Sequence, residues 1–223
     1  MRYQLKYGFY FLYAFISAVY IAILYVCPGD YKGTAASIII LTDPAMLGIF
    51  FIGGIWLLEK REGLHGFWGI SPLRSAEYIL SKAVSLSLIS TLSAVLIVLI
   101  GFDGTCNYLM LSAGVVFGSM IFTVIGLLMA TYACSVNQYM IITAPSAVIL
   151  VSPAILTVFG ITHPVFDMLP GTALWRIIAR ALRITSSLSP WVWIVLAAWF
   201  VPVLLLANKR IPAAMLTEGD EKA

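Results

Sequence analysis

The sequence contains very little charge. Asp, Glu, Lys and Arg make up 10% of its 223 residues, whereas hydrophobic residues make up 61%. A soluble domain carries about 25% charged residues, because polar side chains must cover its surface. The shortage of charge therefore excludes an ordinary soluble domain and predicts an all-α integral membrane protein.

Motifs for catalysis, nucleotide binding and metal binding are also missing. The sequence has no G-x-x-x-x-G-K-[ST], G-x-G-x-x-G, H-E-x-x-H or G-x-S-x-G pattern. Its two histidines, His65 and His163, are predicted on opposite sides of the membrane, so they cannot share a metal. No basic patch has the interleaved aromatic residues of a nucleic-acid binder. We expect no enzyme activity, no cofactor or metal in this chain, and no nucleic-acid partner.

Long apolar segments dominate the chain instead. A helix needs about 20 apolar residues to cross the hydrocarbon core of a membrane. The stretch 104–166 has 63 residues without Asp, Glu, Lys or Arg, so it must fold back once, at the polar residues 134–138. We predict a single membrane domain over residues 1–223, with six spans at about 7–27, 35–58, 83–102, 108–133, 139–161 and 191–207.

The distribution of basic residues predicts the orientation of these spans. Six spans place both termini on the same side. With the termini inside, nine of the 13 Lys and Arg residues lie on the cytoplasmic side and four lie outside. The excess inside predicts cytoplasmic termini.

The start of the second span has two interpretations. Either the helix begins near Ala35 and kinks at Pro44, or a shorter helix begins at Asp43 as its N-cap, below the outer surface. We favour the shorter helix. Asp43 is then the only acidic or basic side chain at membrane depth, where it is either a helix cap or a functional residue.

Other polar side chains accompany the third span and the segment before the sixth. Ser87 and Ser90 belong to a hydroxyl-rich third span, and they either permit close helix packing or line a polar path. Arg176, Arg180 and Arg183 fall on one helical face, which predicts an amphipathic helix at the outer leaflet. These arginines either anchor that helix in the interface or bind anionic groups such as lipid phosphates.

A polar stretch at residues 59–82 separates the second and third spans. It holds seven of the 23 charged residues. Phe67, Trp68 and Ile70 form an apolar centre with charges on either side. Such a segment suits insertion into a groove of a partner protein. The alternative is an interfacial loop that only inserts its Trp into lipid.

The sequence resembles a known family at these points. The run TDPAMLGIFFIGGIWLLEKREG, then SPLRSAEYILSK and the serine-rich span, is similar to permease subunits of ABC-2 type exporters, above all to the fluoroquinolone-export permeases. The motifs FDMLP and LWRIIARAL extend the resemblance across most of the chain.

The resemblance implies a permease in the cytoplasmic membrane of a prokaryote, which exports an apolar or amphipathic drug, peptide or lipid. It implies a second permease, identical or different, and a separate ABC ATPase that binds ATP and Mg. The alternatives are a stand-alone secondary carrier and a non-transporting scaffold or immunity protein.

The resemblance also assigns roles to residues. It places a coupling helix within residues 62–72, which docks on the ATPase, and the coupling residues expected there are Glu62, Leu64, His65, Phe67, Trp68 and Ile70. It implies that the segment after the fifth span re-enters the outer leaflet and helps to close an outer gate. The candidate membrane-depth or gate residues are Asp43, Ser87, Ser90, Arg176, Arg180 and Arg183.

Overall fold

Helices make up all the regular structure in the part of the chain that the computed structural model describes, residues 9–43, 45, 48–65 and 74–220. The eight α-helices in these residues are α1 (Phe9–Val26), α2 (Gly29–Thr42), α3 (Gly48–Arg61), α4 (Ser75–Gly101), α5 (Tyr108–Ala130), α6 (Val136–Val158), α7 (Pro170–Ala181) and α8 (Trp191–Asp220). A single 3₁₀ turn, Phe166–Met168, precedes α7. The all-α prediction is confirmed.

Four helices are long and apolar enough to cross a membrane. They are α4, α5 and α6 in full and residues Trp191–Met215 of α8, with lengths of 27, 23, 23 and 25 residues. Tyr13–Val26 of α1 is a shorter apolar helix. The chain is therefore a multi-pass membrane protein by its helix composition, whereas the count of six spans and the side on which the termini lie remain predictions.

The region of the second predicted span differs most from expectation. The second span was predicted to begin near Ala35 or at Asp43, but α2 already begins at Gly29. Pro28 immediately precedes this helix, and Asp30 lies in its first turn, where a negative side chain interacts favourably with the helix dipole. Helical structure therefore begins before Ala35.

The favoured interpretation of Asp43 as the N-cap of a new helix is wrong. Asp43 has helical backbone angles, φ −60° and ψ −61°, and its N–H donates to the carbonyl of Ile39. An N-cap residue has non-helical angles. At Asp43 and Ala45 the helix has the wider π-type winding, an irregularity that is frequent at functional sites. Pro44, the predicted kink, lies outside the described residues.

The polar stretch at residues 59–82 is also more helical than expected. α3 continues through Glu59, and α4 begins at Ser75, where the sequence predicts a helix start over residues 75–82 with Ser75 as a possible cap. Arg74, not Ser75, is the N-cap of α4, and its N–H donates to the Glu77 carboxylate at 3.2 Å. This bond satisfies a donor at the helix end and shows why the helix can begin there.

The core of the bundle is built around α5. This helix packs against α3, α4, α7 and α8. Of its most apolar 18-residue stretch, 67% is buried, whereas the corresponding share in α8 is 28%. Nine of the twelve residues of α7 are buried, although its arginines make it amphipathic as predicted. α7 therefore packs into the bundle with its apolar face on α5 and α6.

The first turn of α7 has no room for a larger residue. A Cβ atom added at Gly171 would lie 2.2 Å from the carbonyl oxygen of Leu150 and 3.2 Å from the Cα atom of Val151. Both atoms belong to the backbone of α6, so they cannot move aside as a side chain would. Glycine therefore sets the distance between α6 and α7.

We predict that Gly171→Ala destabilises the protein by about 1–3 kcal/mol, the usual cost of overpacking. The measurement is the thermal unfolding midpoint in detergent. Gly29→Ala is the matched control, because an added Cβ there meets nothing within 4 Å. Equal midpoints for the two variants would contradict the close packing of α7 on α6.

Candidate functional site

A charged cluster joins the end of α3 to the start of α4. We call Glu59, Tyr78 and Lys82 the clamp. The Tyr78 hydroxyl donates to Oε2 of Glu59 at 2.7 Å, and the Lys82 ammonium forms an ion pair with Oε1. Tyr78 and Lys82 are four residues apart, so they share a helix face, and the Lys82 ammonium lies 5.4 Å from the Tyr78 ring centroid. Each Glu59 oxygen thus has its own partner.

The clamp is enclosed by aromatic side chains. Glu59 is only 5% exposed. Trp56, one turn earlier on α3, is fully buried, and its ring lies 4.2 Å from that of His65 and 6.3 Å from that of Tyr78 between centroids. His65 follows the end of α3 but is 2% exposed, so the chain folds back against the clamp.

The predicted coupling residues are divided between described and undescribed parts of the chain. Glu62 is exposed, Leu64 is half-buried, and His65 packs inward on Trp56. Phe67, Trp68 and Ile70 lie outside the described residues. The structure thus gives His65 an anchoring contact within the bundle, and the docking role of the loop stays a prediction.

A second cluster surrounds Asp43, and we call it the Asp43 cluster: Tyr13, Ser17, Asp43, Ser90 and Ser93. Asp43 is 0% exposed, and the Ser90 hydroxyl lies 3.4 Å from its Oδ2. The Ser93 hydroxyl lies beside the same carboxylate and 2.7 Å from that of Ser17, which donates to the carbonyl of Tyr13 at 2.8 Å. The cluster joins α1, the Asp43 segment and α4.

Two buried atoms of the Asp43 cluster have no hydrogen-bond partner among the described residues. These are Oδ1 of Asp43 and the hydroxyl of Tyr13. Ser93 has a single proton, which either Ser17 or Asp43 can accept. The carboxylate therefore receives few donors, although an ionised carboxylate away from water requires compensation.

The Asp43 cluster lies near the middle of α1 and α4, and Asp43 itself follows the last residue of α2. Ser17 is central in α1, which runs from Phe9 to Val26. Ser90 lies about 22 Å along α4 from Ser75, at 1.5 Å per residue, in a helix of 27 residues. The carboxylate is thus placed far from both ends of α4.

Ser87 has a different environment from Ser90. It is also buried, but its hydroxyl donates to the carbonyl of Val84 in its own helix at 2.9 Å. Thr91 likewise donates to the carbonyl of Ser87 at 2.7 Å. These hydroxyls are satisfied within α4, so only Ser90 and Ser93 of this helix belong to the cluster.

The three predicted outer arginines do not converge on one site. Arg176 forms an ion pair with Asp167 at 2.5 Å. Arg180 contacts the carbonyl of Thr185 at 3.5 Å, and Arg183 is exposed with a left-handed φ of 56°. Arg176 thus joins α7 to the turn before it, and Arg180 joins α7 to the segment after it.

A further ion pair, between Lys32 and Asp103, joins the start of α2 to the turn after α4. All three cysteines of the chain are free thiols. Among the described residues, no group of three or more His, Cys, Asp and Glu side chains could hold a metal ion.

Sequence reasoning identified Asp43 and Ser90 but missed most of their neighbours. Tyr13 and Ser17 carry no motif and come from a distant part of the chain, so only the packing of α1 on α4 reveals them. Ser93 belongs to the hydroxyl-rich third span that the sequence already indicated. The clamp was overlooked because Glu59 and Lys82 were assigned to a loop. The sequence did contain a signal for the clamp. Tyr78 and Lys82 are four residues apart, and Glu59 provides a carboxylate at the end of an apolar segment.

Comparison with known proteins gives a family match. The model of the fluoroquinolones export permease protein family matches residues 1–217. The chain is 26% identical, over 84% of its length and 79% of theirs, to fluoroquinolones export permease proteins of Mycobacterium tuberculosis strains CDC 1551 and ATCC 25618. No solved structure matches the chain significantly.

We predict that the clamp is energetically coupled, as its burial indicates. In a double-mutant cycle of Glu59→Gln and Lys82→Met, the coupling energy should be about 1–3 kcal/mol, measured by unfolding in detergent. The matched control is the exposed ion pair of Lys32 with Asp103, whose carboxylate is 83% exposed. The same cycle there, with Lys32→Met and Asp103→Asn, should give less than about 1 kcal/mol. Similar values for both pairs would contradict the role of burial.

Proposed function

The chain belongs to the fluoroquinolones export permease family, and we propose that it is the membrane subunit of an ATP-driven exporter of the ABC-2 type. Its cargo is an apolar or amphipathic compound, with fluoroquinolones as the first class to test. A separate ABC ATPase binds ATP and Mg and supplies the energy. This chain has the role of a transporter subunit rather than that of a catalytic enzyme.

The observation that carries this proposal is the position of the clamp. Glu59 lies in the last turn of α3, and Tyr78 and Lys82 lie in the first two turns of α4, so the clamp links the two helices at either end of residues 62–72. An ion pair and a hydrogen bond to the same carboxylate restrain two helix ends together. A force on the intervening segment therefore acts on α3 and α4 as a pair.

We propose that residues 62–72 dock on the ATPase. Phe67, Trp68 and Ile70 supply the apolar contact, and Glu62 belongs to its charged rim. Leu64 and His65 connect this contact to the helices, since His65 packs on Trp56 beside the clamp. Closure of the ATPase would then tilt α3 and α4.

A tilt of α4 would also move the side chains that this helix carries at the depth of the membrane interior. The same rigid helix carries Tyr78 and Lys82 near one end and Ser90 and Ser93 further along. Its displacement changes the contact between Ser93 and Ser17 on α1. The clamp and the Asp43 cluster are therefore connected through one helix.

A second permease, identical or different, would complete the exporter. Within this chain, only 33% of the most apolar 18-residue stretch of α6 is buried, and only 28% of that of α8. These helices leave wide apolar surfaces that lipid or a second subunit covers. Both termini would face the cytoplasm.

We predict that Phe67→Ala combined with Trp68→Ala reduces ATP-dependent efflux by roughly tenfold or more, because buried aromatic residues dominate binding at protein interfaces. Efflux of a fluoroquinolone from vesicles is the measurement, together with mass spectrometry of what copurifies in mild detergent. We expect an ATPase with a P-loop beside the unaltered chain and its loss from the variant.

The control retains aromatic side chains at the same positions, as Phe67→Tyr and Trp68→Phe, and should keep both ATPase and efflux. Full ATP-dependent efflux by the alanine variant would refute the docking role of the loop. Efflux by the purified chain alone, driven by an ion gradient, would favour a secondary carrier. Absence of any flux would favour a scaffold.

A further inference from the structure

The Asp43 cluster contains an acidic group without a positive partner. Among the described residues, the recorded ion pairs join Lys32 to Asp103, Lys82 to Glu59 and Arg176 to Asp167, and none reaches Asp43. The carboxylate is fully buried, its hydrogen bond from Ser90 is long at 3.4 Å, and the Ser93 hydroxyl beside it is also bonded to Ser17. A carboxylate in the membrane interior is costly unless a cation or several donors compensate it.

The surroundings of Asp43 favour a positively charged ligand with N–H donors. Oδ1 of Asp43 and the hydroxyl oxygen of Tyr13 are both buried with acceptor capacity unused among the described residues. Tyr13 lies close enough to interact electrostatically with the carboxylate. Ser90 adds a third oxygen. A protonated amine carries two or three N–H donors and one positive charge, which matches one carboxylate and a few neutral oxygens.

A multivalent metal ion suits the cluster less well. Hard divalent cations in proteins take six or more oxygen ligands, usually including several carboxylates. Asp43 is the one carboxylate among the five residues of the cluster. A single unit of positive charge on an organic group is therefore the better match.

We propose that Asp43 is the recognition group for a protonated amine on the exported compound, with Tyr13 and Ser90 as additional hydrogen-bond acceptors. The proposal rests on the proposed function, because the amine belongs to the cargo of the exporter. It assigns a substrate class, namely amphipathic compounds with a basic nitrogen.

In the structure the Asp43 cluster is closed to water, because Asp43 is fully buried. The contacts between the helices around the cluster indicate which movement would open it. On one side, α4 reaches α1 through the hydrogen bond between Ser93 and Ser17. At its end, the same helix is fixed to α3 by the clamp. Movement of α4 away from α1 breaks one neutral hydrogen bond and exposes the carboxylate. The cargo then enters between α1 and α4.

The experiment compares two ligands, of which one carries a positive charge on a ring nitrogen and the other does not. The probes are a fluoroquinolone with a basic ring amine and the same compound with that nitrogen acetylated; the carboxylate of the drug is common to both. Equilibrium dialysis measures their binding to the full chain in detergent, in sodium and in choline buffers. The variants are Asp43→Asn and Asp43→Glu, with Asp103→Asn as the matched control, since that carboxylate is exposed and distant.

We expect the unaltered chain to bind the free amine at least roughly tenfold more tightly than the acetylated compound, which corresponds to one favourable charge interaction. Asp43→Asn should abolish this ratio while leaving binding of the acetylated compound unchanged. Asp43→Glu should retain part of the ratio, and Asp103→Asn should retain all of it.

Tyr13→Phe and Ser90→Ala provide a second test, which applies even where Asp43→Asn does not fold. Each should reduce the ratio, and Tyr13→Phe keeps the ring that contacts Phe51. An unaltered ratio in both variants, or equal binding of the two probes by the unaltered chain, would overturn the proposal. Binding of both probes that depends on sodium would also overturn it, in favour of a metal ion. Selective amine binding without ATP-dependent efflux would refute the exporter and leave the amine site intact.

Discussion

The ion pair of Glu59 with Lys82 is the interaction that connects the parts of this protein. A buried charge pair contributes little net stability, because removing both charges from water costs about as much as their attraction returns. Its effect here is geometric. Tyr78 holds the second oxygen of Glu59, and Trp56 with His65 shields the group from water. The clamp therefore restrains the relative position of α3 and α4 where the chain passes between them, and the loop beyond it has a defined base.

Asp43 is a buried carboxylate like Glu59, but its neighbours compensate its charge far less. Both carboxylates are buried, but Glu59 has a charged and a neutral donor, whereas among the described residues Asp43 has only the hydroxyls of Ser90 and Ser93 beside it. The π-type winding at Asp43 and Ala45 occurs at the same place, and such irregularities are frequent at functional sites. A fully satisfied carboxylate is suited to holding helices together. An unsatisfied one is suited to exchanging partners, and this contrast separates a structural from a functional acidic residue.

Sequence patterns predicted the helices that are recognisable as long apolar segments. The predicted helix boundaries were wrong where polar residues form part of a helix. α5 and α6 follow directly from hydrophobic length and from the polar bend between them. The start of α2 at Gly29 could not be derived, because the ion pair with Asp103 that accommodates the charge of Lys32 joins distant parts of the chain. The helix start at Ser75 was recognisable, but the partner of Lys82 was not, because Glu59 lies on another helix. Asp43 was recognisable as an isolated charge in an apolar region. Its neighbours Tyr13 and Ser17 were not, because ordinary hydroxyl residues in an apolar helix carry no signal until that helix is packed against another.

An exporter must bind its cargo in one conformation and release it in another, so a binding group contributes only if its affinity differs between the two. In the proposed mechanism Asp43 would meet this requirement. The carboxylate would pair with an amine in an open state, whereas the structure shows it fully buried by the helices around it. In the proposed mechanism, release of the cargo breaks the ion pair between the amine and Asp43 before the carboxylate is buried again, and the ATPase would supply the energy for this step. Because α4 carries both Lys82 of the clamp and Ser90 of the Asp43 cluster, a movement that begins at the loop would also change the surroundings of Asp43. One helix would thus connect the carboxylate that is fixed by its partners to the carboxylate that the cargo would compensate.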